Sequence, residues 1–408
     1  MMNKLKIFND PVYGFVSVPH GIIFDLIEHP YFQRLRRISQ LGLSHYVYPG
    51  AIHTRFHHAI GSLHLTTSAI EVLRQKGVEI TDQEAEGVSI AILLHDIGHG
   101  PFSHALERLI MDVHHEELSL LLMQELNTQF HGKLALAIDI FTDKYPKKFL
   151  HQLVSGQLDM DRLDYLNRDC YFTGVSEGVI AYDRIIKMLT VHNGELVVEE
   201  KGIYSIEKFL IARRLMYWQV YLHKTVLAAE QMLIKLIQRA KELTLEGADL
   251  NTPNALKPFF NAQISRKSTE NINNPLNYFV KLDDYDIFAA VKIWSLSNDF
   301  TLAYLANCIL NRRLFKITLQ NEPFNQNILT ELRDALIKIA PPEANMDYLF
   351  FQGKETNQTY NRQKDQIKIL FKTGVVRSIT DSMDYQLYSK IITKHYLCYP
   401  KTFSNFAL

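Results

Sequence analysis

One helical segment of this chain has to end directly after a His-Asp pair. Thr81 and Glu84, three residues apart, are the signature of a capping box, and apolar residues follow them at helical spacing. The Gly-His-Gly-Pro run at 98–101 cannot continue a helix, because glycine is unfavourable there and proline lacks the main-chain N–H. His95 keeps the register of the apolar face, so the sequence predicts that His95 and Asp96 lie at an inward-facing helix C-terminus.

Histidine is concentrated around this helix end. Nine of the 17 histidines lie between His53 and His115, and three segments combine imidazole with carboxylate: HTRFHHAIG at 53–61, LLHDIGHGPFSH at 93–104 and LDMDRLDYLNRDC at 158–170. A single buried histidine is more often a hydrogen-bonded core residue than a ligand. Three such segments together favour one shared site instead, and imidazole with carboxylate suits a divalent ion such as Fe, Mn, Ni, Zn or Mg.

Charge and cysteine usage exclude several classes of protein. The chain has 44 Lys+Arg and 44 Asp+Glu, so it lacks the strong basic footprint of a dedicated nucleic-acid binder. Its three cysteines, Cys170, Cys308 and Cys398, are too far apart for a CxxC pair, which predicts neither a thiolate zinc site nor a disulfide framework. Without a signal sequence or a long apolar run, we expect a cytosolic protein that makes no membrane contact. A P-loop is excluded because GxxxxGK[ST] is missing.

The periodicity along the chain is mainly helical. Residues 5–18 predict an opening β-hairpin, and Asn193-Gly194 between alternating apolar residues predicts a second. Helices are predicted at 114–127, 132–142, 147–167, 206–242 and 327–339. Short strands are predicted at the runs FKITL, YLFF, IKILF and VVRSI.

These elements predict a mainly α fold with a helical core, small β-hairpins and a C-terminal α+β appendage. At roughly 150 residues per domain, 408 residues favour two or three domains. We expect a catalytic region at 1–230, with its core at about 50–170, and a helical and α+β region at 231–408. The segment 246–275 is predicted to be a linker or a loop.

The three histidine- and aspartate-bearing segments resemble the HD-domain phosphohydrolases. The closest resemblance is to the SAM-and-HD-domain type deoxynucleoside triphosphate triphosphohydrolases, which carry H-x-R-F-x-H, H-D-x-G-H-G-P-F-S-H and D-x-D-x-x-D-Y-x-x-R-D-C in this order. The stretches KIFNDPVYG, FQRLRRISQLG and VYPGA extend the resemblance over roughly residues 5 to 225. It implies a helical HD-domain core and hydrolysis of a deoxynucleoside triphosphate to the nucleoside and inorganic triphosphate. Hydrolysis of another nucleotide or phosphoester, or nonenzymatic nucleotide sensing, are the alternatives, and the HD-GYP pattern of cyclic-dinucleotide enzymes is missing.

The resemblance also assigns the chemistry to residues. Its metal quartet, holding one divalent ion, falls on His58, His95, Asp96 and Asp161, with His57 as the rival of His58. Its catalytic histidines fall on His99 and His104, with His115 and Glu107 in support.

For the substrate, the resemblance implies cations for the triphosphate and a polar pocket for the sugar. The cations fall on Arg55, Arg162, Arg213 and Lys224, and a further Mg on the phosphates is an option. The sugar residues fall on Gln40, Asp169 and Tyr221, with Tyr165 in the same pocket. Two positions depart from the family pattern, because Arg162 stands where relatives have lysine and Leu222 replaces a polar residue beside the base.

The resemblance finally implies a homo-oligomer, a dimer or a tetramer, that an activating nucleotide regulates at subunit interfaces. That nucleotide set falls on Lys6, Ile7, Asn9, Gln33 and Arg36, with Glu28 where relatives have aspartate. The alternative is that QRLRRIS is an ordinary surface helix whose arginines pair with acids.

Overall fold

The structure is a computed structural model that describes residues 5–260, 275–357, 366–382 and 392–403. Within these ranges the side chains of His104, Arg108 and Asn357 are not described, so the predicted catalytic side chain of His104 lies outside the described part. The same holds for residues 261–274 of the predicted linker.

Helices dominate the described chain, and three small sheets accompany them. The helices are α1 (Ile22–Glu28), α2 (Pro30–Gln33), α3 (Arg55–Gln75), α4 (Asp82–Leu94), α5 (Ser103–Ile110), α6 (His115–Gln129), α7 (Ala135–Phe141), α8 (Lys148–Val154), α9 (Met160–Thr173), α10 (Tyr182–Met188), α11 (Ile203–Met216), α12 (Lys224–Leu245), α13 (Pro275–Phe279), α14 (Asp284–Trp294), α15 (Phe300–Leu310), α16 (Gln326–Ile337) and α17 (Met346–Leu349). The strands are β1 (Leu5–Asp10), β2 (Gly14–Pro19), β3 (Leu189–His192), β4 (Glu195–Glu199), β5 (Lys316–Gln320), β6 (Phe351–Asn357), β7 (Lys368–Leu370), β8 (Val376–Ser378) and β9 (Ile392–Tyr399). The predicted fold class is therefore confirmed. None of the helices in the described ranges is long and apolar enough to cross a membrane.

The sheets are small and mostly antiparallel. β1 and β2 form the predicted opening hairpin, and β5, β9 and β6 form a three-stranded sheet in that order. The second predicted hairpin, β3–β4, is also present, with Asn193 at φ 52° and Gly194 at φ 79° in its turn. Strand β7 extends this hairpin by pairing in parallel with β4, so the sheet order is β3-β4-β7-β8.

The helical core is built around α3, which packs against α4 and α9, while α4 packs against α7. Helix α4 begins as predicted, because the Thr81 side chain accepts a hydrogen bond from the Glu84 N–H and Glu84 returns one to the Thr81 N–H. It ends with His95 as its C-cap. The His-Asp pair thus lies where the helix stop predicted it.

Two of the predicted long helices are wrong, because each is interrupted. The segment 147–167 divides into α8 and α9, since the Asp159 carboxylate caps α9 by accepting the N–H groups of Gly156 and Arg162. The segment 206–242 divides at the π-helical turn Tyr217–Tyr221 and at His223, whose ring accepts the Thr225 N–H to start α12. At each break a side chain accepts hydrogen bonds from main-chain N–H groups that would otherwise lack a partner at the start of the next helix.

The strand predicted at YLFF is also wrong in its first half. Residues Met346–Leu349 form the short helix α17, which the Asn345 side chain caps, and only from Phe351 does the chain enter β6. The strands predicted at FKITL, IKILF and VVRSI are present as β5, β7 and β8.

Helix α12 joins the two predicted regions of the chain. It packs against both α5 and α15, and most of its buried residues belong to one apolar cluster with apolar residues of α3, α4 and α15. The division at residue 230 stays a prediction.

Candidate active site

Four predicted ligands come together from three helices. His58 lies on α3, His95 and Asp96 lie at the end of α4, and Asp161 lies in the first turn of α9. The rival His57 points elsewhere: its Nδ1 accepts the Thr54 N–H and so helps to cap α3.

The donor atoms of these four residues face one another. Asp161 Oδ1 lies 3.1 Å from His58 Nε2 and 3.5 Å from His95 Nε2. Asp96 lies 3.3 Å from His95 Nε2 and 3.8 Å from His58 Nε2, through its two carboxylate oxygens. His58, His95 and Asp161 therefore have donor atoms close enough to share one cation, and Asp96 lies beside both imidazoles.

The hydrogen bonds of both imidazoles at Nδ1 suit a metal ligand at Nε2. Nδ1 of His58 donates to Asp164 Oδ2 at 2.7 Å, and Nδ1 of His95 donates to the Ile92 carbonyl at 2.6 Å. The two Nε2 atoms are buried and make no hydrogen bond within the described part of the chain. Two buried Nε2 atoms that face carboxylates need positive charge between them, which a proton on each ring or a bound divalent cation supplies, and the outer hydrogen bonds leave Nε2 as the ligand atom.

The electrostatics of the cluster show the same demand for positive charge. Burial opposes protonation of His58, yet Asp161 and Asp164 raise its pKa to about 10. Burial likewise opposes ionisation of Asp161, but His58 and His95 hold its pKa well below the usual range. The carboxylates therefore stabilise a cation at the point where the Nε2 atoms meet.

A buried ion-pair network holds His58 in place. The Arg168 guanidinium bonds both oxygens of Asp164, at 2.9 and 3.0 Å, and reaches Asp10 of the β1–β2 hairpin at 2.8 Å. Gly61, one turn after His58, leaves the room for it: a Cβ there would lie 2.0 Å from Asp164 Oδ1 and 2.1 Å from Arg168 Nη2. Sequence reasoning did not assign Asp164, Arg168 or Gly61, although all three lie within or beside the quoted motifs.

A second group of residues adjoins the first through Asp96. His99 Nε2 lies 3.2 Å from Asp96 Oδ1, and its Nδ1 shares a 2.6 Å hydrogen bond with the Ser103 hydroxyl. The His115 ring stacks on His99 with centroids 3.9 Å apart and donates to Glu107 at 2.7 Å. Burial works against ionised Glu107, but the two hydrogen bonds from His115 lower its pKa to about 2. Donor atoms of Asp96, His99 and His115 lie close enough to hold a cation of their own.

The predicted phosphate-binding cations are distributed unevenly. Arg55 is buried and donates to Asp96 at 2.5 Å, and Arg162 bonds Asp159 beside Asp161. Arg213 is buried and donates to Gln157, whereas Lys224 is exposed at the start of α12. Arg55 and Arg162 are thus the two that the structure brings next to the predicted metal ligands.

The predicted sugar residues form a polar cluster around Asp169. Its carboxylate accepts from Tyr221 OH at 2.8 Å and from His53 Nε2 at 2.7 Å, and Tyr165 lies 6.2 Å from Tyr221 between ring centroids. Gln40 contacts this cluster through its main-chain N–H, which donates to the His53 carbonyl. Its buried side-chain Oε1 has no described partner. His53 was not assigned from the sequence, although it is the first histidine of H-x-R-F-x-H.

The residues predicted for an activating nucleotide lie on the surface near the hairpin. Lys6, Ile7 and Asn9 are exposed on β1. Gln33 accepts from Arg36 Nε at 2.8 Å, and the Arg36 guanidinium lies 3.5 Å from the Phe56 ring centroid. Burial lowers the pKa of Arg36 and the nearby Glu28 opposes that shift, so Glu28 belongs to the same group.

Known proteins resemble this chain over most of its length. A family model for the HD associated region matches residues 180–259. YwfO of Bacillus subtilis, an uncharacterised protein, is 31% identical over 422 residues, covering 98% of this chain and 93% of that protein. The deoxynucleoside triphosphate triphosphohydrolase SAMHD1 homolog of Dictyostelium discoideum is 32% identical over 277 residues, which are 63% of this chain and 53% of that protein. A crystal structure of a phosphohydrolase from Bacteroides thetaiotaomicron matches with a TM-score of 0.94 and 49% identity, covering 98% of this chain and 100% of that one.

Proposed function

Since the chain belongs to the HD-domain phosphohydrolases and is related to SAMHD1, we propose that it hydrolyses deoxynucleoside triphosphates to deoxynucleoside and inorganic triphosphate. The observation that carries the proposal is the pair of buried Nε2 atoms of His58 and His95, aimed at two carboxylates and adjoined by His99. That arrangement supports metal-dependent phosphoester chemistry. The similarity to a deoxynucleoside triphosphate triphosphohydrolase favours this substrate class over other phosphoesters.

The metal site of the proposal consists of His58, His95, Asp96 and Asp161. A divalent ion held there would polarise a phosphoryl oxygen and lower the pKa of a bound water. Asp164 and the Ile92 carbonyl keep the two rings in the tautomer that offers Nε2.

His99 and His104 are the proposed catalytic histidines at phosphorus and at the leaving oxygen. The Ser103 hydroxyl orients the His99 ring, and Asp96 lies beside its Nε2. Glu107 stays ionised and orients His115, whose ring supports His99 from its face. An oriented imidazole near the reacting phosphate can transfer a proton to the departing oxygen.

Four cations are proposed to bind the triphosphate: Arg55, Arg162, Arg213 and Lys224. A guanidinium can bind two phosphate oxygens at once, so Arg162 in place of lysine favours a different approach angle of the phosphates. The deoxyribose is proposed to lie against Gln40, Tyr165, Asp169 and Tyr221. The hydrogen-bonded pair of Tyr221 and Asp169 presents a fixed ring and a carboxylate to that sugar.

A substrate panel with product identification tests the proposal. Purified protein loaded in turn with Mn²⁺, Fe²⁺ or Mg²⁺ is incubated with each dNTP, each NTP, a phosphomonoester and a cyclic dinucleotide. Ion-exchange chromatography should show inorganic triphosphate from dNTPs, and His99→Ala should lower the rate on the order of 10²–10⁴-fold. Pyrophosphate with nucleoside monophosphate, cleavage of the other substrates alone, or no turnover with any metal would each contradict the assignment.

We also propose a homo-oligomer with a nucleotide-binding surface at Lys6, Ile7, Asn9, Glu28, Gln33 and Arg36, acting in the cytosol. The proximity of Arg36, Gln33 and Glu28 supports this nucleotide-binding surface. A guanidinium can bind phosphate oxygens, and a neighbouring carboxylate can accept hydrogen bonds from a base edge. Light scattering and initial rates with and without GTP or dGTP test this surface. A monomer whose rates ignore both nucleotides, and ignore Arg36→Ala, would refute the surface without touching the catalytic proposal.

A further inference from the structure

A buried arginine connects the loop that carries His99 to the C-terminal half of the chain. Arg34 lies in the 3-10 turn Arg34–Arg37 and is fully buried. Its guanidinium donates to the carbonyls of Ile97 at 2.8 Å and His99 at 2.9 Å, and also to the carbonyl of Leu282 at 3.1 Å. One side chain thus satisfies main-chain acceptors in two segments that are far apart in sequence.

This position is costly for a cation. The hydrogen bonds described for Arg34 all go to neutral carbonyls. Arg34 also makes a cation–π contact with Phe279, in which the guanidinium carbon lies 4.8 Å from the ring centroid. Burial lowers the pKa of Arg34 to about 10, partly offset by the nearby charge of Asp283. Burying a charge is costly unless hydrogen bonds compensate it, and for Arg34 those bonds are the ones to the three carbonyls.

A buried carboxylate holds the other end of the same loop. Asp284, in the first turn of α14, accepts the N–H of Phe102 at 3.2 Å and the N–H of Ser39 at 2.8 Å. Phe102 has a left-handed backbone, with φ 47°, and its ring packs edge-on against Phe288. A non-glycine residue in this conformation is strained, and hydrogen bonds from neighbouring segments are what keeps it there.

The loop 97–102 is therefore linked to the segment 279–288 at both ends, through Arg34 at Ile97 and His99 and directly through Asp284 at Phe102. We propose that Arg34 and Asp284 are positioning residues, through which the C-terminal half fixes the 97–102 loop and thereby the place of His99 beside Asp96. The inference rests on the proposed function, because it assigns these residues to the same phosphohydrolase site. The proposed ligands His58 and Asp161 lie on α3 and α9, outside the loop. His95 and Asp96 directly precede the loop, but the Ile92 carbonyl and the Arg55 guanidinium hold their side chains, so metal binding and His99 placement are separable.

A neighbouring arginine provides the matched control. Arg37 lies in the same 3-10 turn and reaches the same C-terminal segment, where its Nε donates to Asp283 at 2.5 Å. It has no described bond to the 97–102 loop and is 44% exposed. Arg37→Met thus removes a link between the two halves of the chain without removing a link to His99.

The test compares Arg34→Met, Asp284→Asn and Arg37→Met with the wild-type full-length chain. Each is measured for Mn²⁺ content, for hydrogen exchange of peptides covering 97–102, and for kcat and KM on the substrate that the panel identifies. In Arg34→Met and Asp284→Asn we expect unchanged Mn²⁺ content, faster exchange in the loop, and a kcat lowered on the order of 10- to 100-fold with a smaller change in KM. Arg37→Met should match the wild type in all three.

Asp284→Asn is nearly isosteric and keeps the inference testable if Arg34→Met does not fold. Wild-type loop exchange and kcat in folded Asp284→Asn would overturn the inference, as would equal losses in Arg37→Met. If the wild-type protein turns over none of the substrates, the proposed function fails, and the hydrogen-exchange comparison still decides whether Arg34 and Asp284 hold the loop.

Discussion

Replacing Gly61 by alanine should disturb the metal site without touching a ligand. Gly61 lies on α3 one turn after His58, and an added Cβ would meet Asp164 Oδ1 at 2.0 Å and Arg168 Nη2 at 2.1 Å. Both atoms belong to a buried ion pair, so neither can swing into solvent as the tip of a surface side chain would. The Asp164 carboxylate must therefore move away from His58 or the helix must shift.

The magnitude follows from two opposing effects. Breaking a buried ion pair costs about 3–5 kcal/mol, whereas alanine is favoured over glycine inside a helix by about 1 kcal/mol. We expect a net loss of roughly 2–4 kcal/mol in the free energy of unfolding. Because Asp164 orients His58, metal affinity should fall about 10- to 100-fold.

Denaturant unfolding and titration with Mn²⁺ measure the two quantities. Gly87→Ala is the matched control, since Gly87 is also buried in a helix but its Cβ would meet mainly the flexible Leu136 side chain, at 2.9 Å. That variant should keep the wild-type metal affinity. Wild-type stability and affinity in Gly61→Ala, or an equal loss of affinity in Gly87→Ala, would show that the Asp164–Arg168 pair does not support the site.

Three further predictions concern pH, capping and metal. Burial and the charge of Glu355 raise the pKa of Glu230 to about 8, above the unfolded value of about 4.3, so stability present at low pH is lost as the pH rises through 8. Glu230→Gln should remove this loss and be ~2 kcal/mol more stable than wild type at pH 9 by chemical denaturation, a figure reduced because the side chain is partly exposed. An unchanged pH profile would contradict this prediction. Thr81→Ala should cost ~1 kcal/mol in unfolding free energy while leaving Mn²⁺ affinity intact, and a loss of affinity would refute the separation of cap and site. Mn²⁺ at a hundredfold excess over its Kd should stabilise the protein by about 2.7 kcal/mol, an increase that Asp161→Ala should abolish; equal stabilisation of this variant would exclude Asp161 as a ligand.

Most of the correct predictions came from short-range sequence signals, such as helix caps and turns. The capping box of Thr81 and Glu84 and the turn at Asn193-Gly194 depend on residues a few positions apart, and both are present in the structure. The end of α4 at His95 follows from the same kind of signal. Such features have short-range causes, so a single sequence is enough to read them.

Contacts between distant segments explain what the sequence did not predict. Arg168 reaches Asp10, and Arg34 reaches Leu282, across parts of the chain that share no local pattern. The break between α8 and α9 was missed for a related reason. In the sequence Asp159 is one of several acidic residues, and only the structure shows that its side chain caps α9. In each case a buried charge is placed by its partner rather than by its neighbours in sequence.

The parallel pairing of β4 with β7 constrains the order in which the chain can fold. Val198 pairs with Ile369, so this edge of the hairpin is completed only after most of the chain has left the ribosome. Closing so long a loop slows folding, because the chain loses conformational entropy before the β4–β7 contact can stabilise it. During synthesis the β4 edge therefore presents unpaired main-chain groups to other nascent chains, the situation that favours strand exchange between copies.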